Sequence, residues 1–313
     1  MSKLRAKKKS VRLPQVLVIA GPTSSGKTVL AVVLAREFEG EIISADSRQV
    51  YKGMDLGTGK DLAEYGRGKH AVKHHLIDVV SPKRRFDLAK YQNLANQAIE
   101  KALSSQRLPI LAGGSGLYLQ ALADNYRLPE AKPDEKLRRQ REKLPAEELF
   151  CFIAKLKPAF AKKINESDRH NQRRLIRYLE VLEAGAKRKR PPSPRYDCLI
   201  LALDVSDEIL RERINQRLEE RLAAGLVGEV ESLLESGVTA KRLRSFGLEY
   251  RFVSAYLANE LEYEEMKEKL ATAIYRFAKR QKSWLRRWQK QGAKINWIKD
   301  KKEATALIKK WYK

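Results

Sequence analysis

The segment QVLVIAGPTSSGKTVLAVVLAREF, residues 15–38, restricts the fold more than any other part of the chain. QVLVIA is an apolar, β-rich run, which predicts a parallel strand buried in a sheet. Residues 28–38 have the composition and length of a helix. Between them Gly21, Pro22, Thr23, Ser24, Ser25, Gly26, Lys27 and Thr28 satisfy G-x-x-x-x-G-K-[ST] completely. Directly after a strand and directly before a helix, that pattern is a phosphate loop. Glycines permit the turn, while successive N–H groups and the helix N-terminus face phosphate oxygens. Lys27 neutralises a terminal phosphate, and the Thr28 hydroxyl can ligate Mg2+. A glycine turn that merely packs accounts for less of the motif.

The alternation continues beyond the loop. Residues 41–46 (EIISAD) and 74–80 (HHLIDVV) read as strands, 86–106 as an amphipathic helix, and 108–114 (LPILAGG) as an apolar strand stopped by paired glycines. Residues 129–195 carry many charges and no strong strand, and they end in the proline-rich, basic AKRKRPPSPR. Residues 196–205 supply one more strand, and from Asp207 onward the chain reads as mostly helical. The expected fold is α/β: a P-loop NTPase-like parallel sheet core flanked by helices, with a small all-helical insertion domain. The expected boundaries are a basic leader at 1–13, a core of 14–128 plus 196–313 with C-terminal helices, and a helical insertion at 129–195.

Lys and Arg number 64 against 39 Asp and Glu, a formal net charge of +25 spread along the whole chain. That field favours a polyanion, most simply nucleic acid, the plainer alternative being a generally basic proteome. Cys151 and Cys198 form no CxxC, and no His/Cys cluster has zinc spacing, so neither a disulfide framework nor zinc is expected. The basic start MSKLRAKKKS precedes no apolar run of signal length, and no stretch approaches a membrane span. These features fit a cytoplasmic protein without a membrane partner.

The phosphate loop alone does not name the group transferred. A kinase or ATPase would place an acidic residue at the end of a nearby apolar strand, but LPILAGG runs on into Ser115 and Gly116. The acidic candidate is instead Asp46, nineteen residues after Lys27.

GPTSSGKT, SADSRQVYKGMDLGTGK at 44–60, HHLIDVVSP at 74–82, AGGSGLYLQAL at 112–122, NQRRLIRYLEVLEAG at 171–185 and LRERINQRLEERLAAGLVGEVESLL at 210–234 together resemble the tRNA dimethylallyltransferase family, the bacterial tRNA isopentenyltransferases. The similarity runs in order over residues 15 to 290. It implies transfer of a dimethylallyl group from dimethylallyl diphosphate to N6 of the adenosine 3′ of the anticodon in tRNA, with diphosphate released. The loop and Mg2+ would then hold a leaving group, and no ATP would be consumed. The resemblance also implies a monomer.

Carried over residue by residue, the resemblance makes Asp46 the general base and Ser115 a hydroxyl at the reaction channel, where the family usually has threonine. Arg217 becomes a diphosphate clamp, and Arg213 and Arg221 are further candidates. Asp46, Ser47, Arg48 and Gln49 form one tRNA-contacting stretch. Gln172, Arg173, Arg174 and Arg177 form another, with Lys136 or Arg138 as a further basic contact. GTGKD at 57–61 departs from the family's GT-x-KP while keeping Thr58 and Lys60. Independently of any family, Leu270, Ile274, Phe277, Trp284, Leu285 and Trp288 share one side of a helix and read as core. Arg276, Arg280 and Arg287 lie beside them as a rail for RNA backbone. Rival readings are a small-metabolite kinase, a prenyltransferase acting on free AMP, ADP or ATP, and an RNA-binding protein with a vestigial loop. The first accounts for neither the +25 charge nor the glycine-rich strand end at 113–116, the second does not need the basic insertion, and the intact Lys27, Thr28 and Asp46 argue against the third.

Overall fold

The structure is a computed structural model that describes residues 12–68, 71–129, 131, 134–185 and 193–312. Most of the expected leader and most of the basic, proline-rich stretch ending the insertion lie outside these residues. The chain divides into two compact units, one of residues 1–125 with 193–313 and one of residues 126–192.

The larger unit is built on a parallel sheet of six strands: β1 (Gln15–Ala20), β2 (Gly40–Ser44), β3 (His74–His75), β4 (Leu108–Gly113), β5 (Asp197–Leu203) and β6 (Ile295–Ile298), in the order β3-β2-β4-β1-β5-β6. β1 lies at the centre, in register with β4 from Leu17 against Ile110 to Ala20 against Gly113, and with β5 from Gln15 against Asp197. Strands buried on both faces need apolar residues throughout, and VLVIA in β1 and LPILAG in β4 are buried along their whole length. Helices α1 (Lys27–Glu37), α2 (Leu88–Ser104) and α3 (Gly116–Ala123) follow β1, β3 and β4 in the chain.

The sheet's two faces carry separate cores. Tyr91, Ile99, Leu119 and Leu285 pack on one, and Leu30, Leu34, Ile110 and Ile308 on the other. The chain passes from β1 outward to β2 and β3, returns to fill the gap with β4, then crosses β1 to β5. Such a reversal leaves a crevice at the carboxyl ends of the central strands, where ligands of open α/β sheets bind.

The smaller unit holds α4 (Glu135–Arg141), α5 (Ala146–Leu156), α6 (Pro158–Ala161), α7 (Glu166–Arg169) and α8 (Gln172–Glu183). It has its own core of Leu149, Ile153, Ile164, Leu175, Ile176 and Leu179. After β5 come α9 (Asp207–Ala223), α10 (Leu226–Glu235), α11 (Ala240–Arg244), α12 (Leu248–Leu257), α13 (Tyr263–Lys290) and α14 (Lys301–Trp311). Together α9 to α13 enclose a third core of the larger unit around Leu218, Phe246, Tyr250 and Leu270.

Two expectations need correction, and the mostly helical stretch after Asp207 gains one strand. The strand expected over 74–80 is only His74–His75, because Leu76 and Asp78 take left-handed conformations (φ 64° and 56°) that break the extended path. Val80 returns to make a single bridge with Tyr51. The stretch after Asp207 is not helical to its end: Ile295–Ile298 adds β6 beside β5. Finally, Phe277 is exposed, whereas Leu270, Ile274, Leu285 and Trp288 are buried as expected and Trp284 is half-buried. The buried stripe passes through Ala278 and Gln281 instead.

Candidate active site

The phosphate loop lies at the carboxyl end of β1, and its conformation follows from two left-handed residues, Ser24 (φ 60°) and Gly26 (φ 86°). Gly26 precedes the first turn of α1, where no side chain caps the helix. The N–H groups of Ser24, Gly26, Lys27 and Thr28 donate to no described group, so they remain available to a ligand. The Ser25 hydroxyl is buried without a partner. The Lys27 ammonium donates to the Pro22 carbonyl at 3.2 Å. Burial pulls its pKa down to about 8, against the opposing pull of Asp46, while Arg217 adds to the lowering.

Asp46 stands two residues beyond β2. Its carboxylate accepts from the Arg48 backbone N–H at 2.8 Å, closing a tight turn that aims residues 46–49 away from the strand. Ser115, at the start of α3, ties this turn to the end of β4. Its N–H donates to the Ala45 carbonyl at 3.1 Å and its Oγ accepts from the Ser47 N–H at 3.0 Å. The glycines before it permit the approach: a Cβ on Gly113 would collide with the Ala45 carbonyl, and one on Gly114 with the Gln281 amide. Asp46, Ser115 and the phosphate loop thus follow the adjacent strands β2, β4 and β1 at one edge of the sheet.

Gln281, which the sequence reading left out, links two of these three elements. It accepts from the Thr23 N–H at 2.8 Å and donates to the Gly114 carbonyl at 2.9 Å. A glutamine within an otherwise apolar helical stripe was the available signal. Gln49 is engaged at both ends of its amide, accepting from Ser44 Oγ and donating to the Gly59 carbonyl, each at 3.0 Å. Arg48 lies over the Phe246 ring at 5.9 Å, and burial lowers the pKa of its guanidinium.

Residues 55–61 follow the Asp46 turn in the chain and are held by carboxylates. Glu229 accepts from the N–H groups of Asp55, Leu56 and Gly57 at 2.7 to 3.0 Å and from the Tyr250 hydroxyl at 2.7 Å. The Lys60 ammonium, wholly buried, donates to the Tyr51 carbonyl and pairs with Asp55 and Asp78. This interior network makes Lys60 a structural residue of the loop. Arg217 on α9 pairs with Asp61, and Arg213 one turn earlier donates to the Ser25 carbonyl at 3.5 Å. Arg221, on the next turn, pairs with Glu249. Glu64 lies in the same charged group; burial raises its carboxyl, and its Oε2 has no partner.

In the smaller unit the expected RNA-contacting residues divide into tied and free. Gln172 donates to the Glu142 and Leu144 carbonyls. Arg174 pairs with Asp168, and Arg177 with Glu180 and the Ala131 carbonyl. Arg138 makes a two-point contact with Glu180. Four of the expected RNA-contacting residues, Arg138, Gln172, Arg174 and Arg177, are therefore already engaged internally. Arg173 and Lys136 are exposed and make no hydrogen bond or ion pair among the described residues. On α13, Arg276, Arg280 and Arg287 are likewise exposed, with Arg287 stacked 4.6 Å from the Trp284 ring centre.

Among the described residues no group of three His, Cys, Asp or Glu side chains could hold a metal by itself. The Thr28 hydroxyl on the first turn of α1 is nevertheless an oxygen that suits Mg2+, which commonly takes one or two protein oxygens and completes its shell with phosphate oxygens and water.

The chain matches the family model described as IPP transferase over residues 49–288. It is 44% identical over 289 residues to tRNA dimethylallyltransferase 1 of Syntrophus aciditrophicus (strain SB), covering 91% of this chain and 94% of that one. Among solved structures, the full-length tRNA isopentenylpyrophosphate transferase from Bacillus halodurans is similar, with a TM-score of 0.68 and 30% identity over 95% of each chain. The tRNA delta(2)-isopentenylpyrophosphate transferase from Staphylococcus epidermidis gives 0.67 and 31%, over 95% of this chain and 99% of that one. With most of its length matched by the family model and by relatives this similar, the chain belongs to the IPP transferase family.

Proposed function

We propose that the protein transfers a dimethylallyl group from dimethylallyl diphosphate to N6 of the adenosine 3′ of the anticodon in tRNA, releasing diphosphate. The observation that carries this reading is the pairing of an unspent phosphate loop with Asp46 and Ser115 at one sheet edge, in a chain of the IPP transferase family. The allylic C–O bond breaks with its electron pair leaving on diphosphate, the new C–N bond forms at N6, and the N6 proton passes to Asp46. Free N–H groups of the loop, Lys27 and Arg217 meet the negative charge that grows on the leaving oxygens. Thr28 would hold Mg2+, whose contribution when bound is added positive charge at those oxygens.

An exocyclic amine is a weak nucleophile, so a carboxylate bonded to it orients the nitrogen and removes its proton as charge develops. Ser115 positions the Asp46 turn through Ser47. The acceptor nucleotide must leave its stack to reach a recessed pocket, at a cost of a few kcal/mol offset by contacts to the rest of the stem-loop. Exposed Arg173 and Lys136 are the side chains most available for those contacts in the smaller unit. No described helix is long and apolar enough to cross a membrane. The test offers labelled dimethylallyl diphosphate with unmodified tRNA, with AMP and with ATP alone. Label in tRNA only is expected, and label in a free nucleotide would overturn the reading.

A further inference from the structure

The pairing of Arg217 with Asp61 raises a question that the proposed transfer reaction does not answer. Arg217 stands near the phosphate-loop lysine: the Lys27 ammonium feels Arg217, Asp61 and Glu64 together. One turn earlier on the same helix, Arg213 reaches the Ser25 carbonyl of the loop. A guanidinium in that position suits two-point capture of a phosphate, yet one arm of its fork already pairs with a carboxylate. That carboxylate comes from the segment held down by Lys60 and Glu229, so it is presented by a fixed wall rather than a swinging arm. The side chains of Arg217 and Asp61 are 30% and 38% exposed. An ion pair that open to water contributes little and is readily exchanged.

We propose that Asp61 is an internal counter-ion that occupies Arg217 until diphosphate displaces it, and so sets how tightly this pocket holds diphosphate. The proposal rests on the reading of the pocket as a diphosphate site. Exchange swaps one anion for another at Arg217, so the arginine is never left unpaired. The incoming group must outcompete a tethered carboxylate, and after transfer Asp61 is at hand to help expel the released diphosphate. A second carboxyl, Glu64, stands in the same charged group as Asp61 and Arg217, with burial raising its pKa. Asp61 acts through Arg217 and is a positioning residue.

Calorimetric titration of the full chain with inorganic diphosphate and Mg2+ tests this. Asp61→Asn and Asp61→Ser should each bind about two- to fivefold tighter than the unaltered chain, the range set by an exposed ion pair. The gain should shrink as salt is raised. In an Arg217→Gln background the same Asp61 changes should give a clearly smaller gain, because the partner they release is gone. Unchanged or weaker binding by both Asp61 variants would overturn the proposal, as would their failure to fold, which would make Asp61 structural. An equal gain in the Arg217→Gln background would reduce the effect to general charge and overturn it too. If the unaltered chain and the variants all fail to bind diphosphate, the reading of the pocket falls with the proposal. Normal binding that is indifferent to Asp61 removes the counter-ion role alone.

Discussion

Under the proposed transfer Asp46 would accept the proton and Lys27 would meet the charge on the leaving group, and each role makes its own prediction. Asp46→Ala should leave tRNA binding nearly intact and lower turnover by about 10²-fold or more, the range for losing a general base. Single-turnover rates alongside tRNA affinity separate the two effects, and unchanged turnover would remove Asp46 from the mechanism. Lys27 must be cationic to meet diphosphate, and burial brings its pKa in the free chain to about 8. The ammonium form therefore prevails below pH 8 and is lost above it, so affinity for diphosphate should fall as pH rises from about 8. Bound phosphate raises the lysine's pKa again, so binding should take up a proton in that range. Lys27→Arg stays charged throughout, so the difference between the two affinity profiles cancels the ligand's own ionisation. Parallel profiles would show that the lysine does not titrate there.

At the scale of elements, the site depends on segments that no single motif announces. The loop of residues 55–57 is pinned because one carboxylate, Glu229 on α10, accepts three successive backbone N–H groups and the Tyr250 hydroxyl. Glu229→Ala strands these donors and should lower stability by about 2–4 kcal/mol, read as a lower urea midpoint at unchanged slope. A shift below 0.5 kcal/mol would mean that the loop is held elsewhere. The phosphate loop, Asp46 and the central strands were legible in the sequence because local rules govern them: an apolar run, a glycine turn and a helix start lie within one segment. Glu229 and Gln281 were not, since the backbone groups they hold lie more than 150 residues away. β6 escaped notice because INWI is only four residues long and has no alternation, and its pairing with β5 alone makes it a strand. The 74–80 segment failed in the opposite direction. Its apolar residues suggested a strand, but Asp78 turns left-handed and its carboxylate goes to Lys60, a tertiary demand that overrides propensity.

For the molecule as a whole, a net charge of +25 makes association with a polyanion easy and says little about where it docks. Local pairing narrows the choice. In α8, Arg174 and Arg177 have carboxylate partners, so a phosphate there would compete with an existing ion pair and release little net attraction. Arg173, exposed and unpaired among the described residues, carries no such cost. Arg173→Ala should therefore weaken tRNA binding and reduce the slope of log affinity against log salt by about 0.7–0.9, the signature of one lost phosphate contact. Arg177→Ala should act differently. It removes one of the two arginines bonded to Glu180, which is itself buried, so its first effect is on the smaller unit's stability, with the salt slope changing less. Measuring affinity over a range of salt together with a thermal melt for both variants distinguishes a rail of phosphate contacts from a brace. Equal slopes for Arg173→Ala and the unaltered chain would return Arg173 to an ordinary solvated surface and move the search for RNA contacts to Lys136 and the arginines of α13.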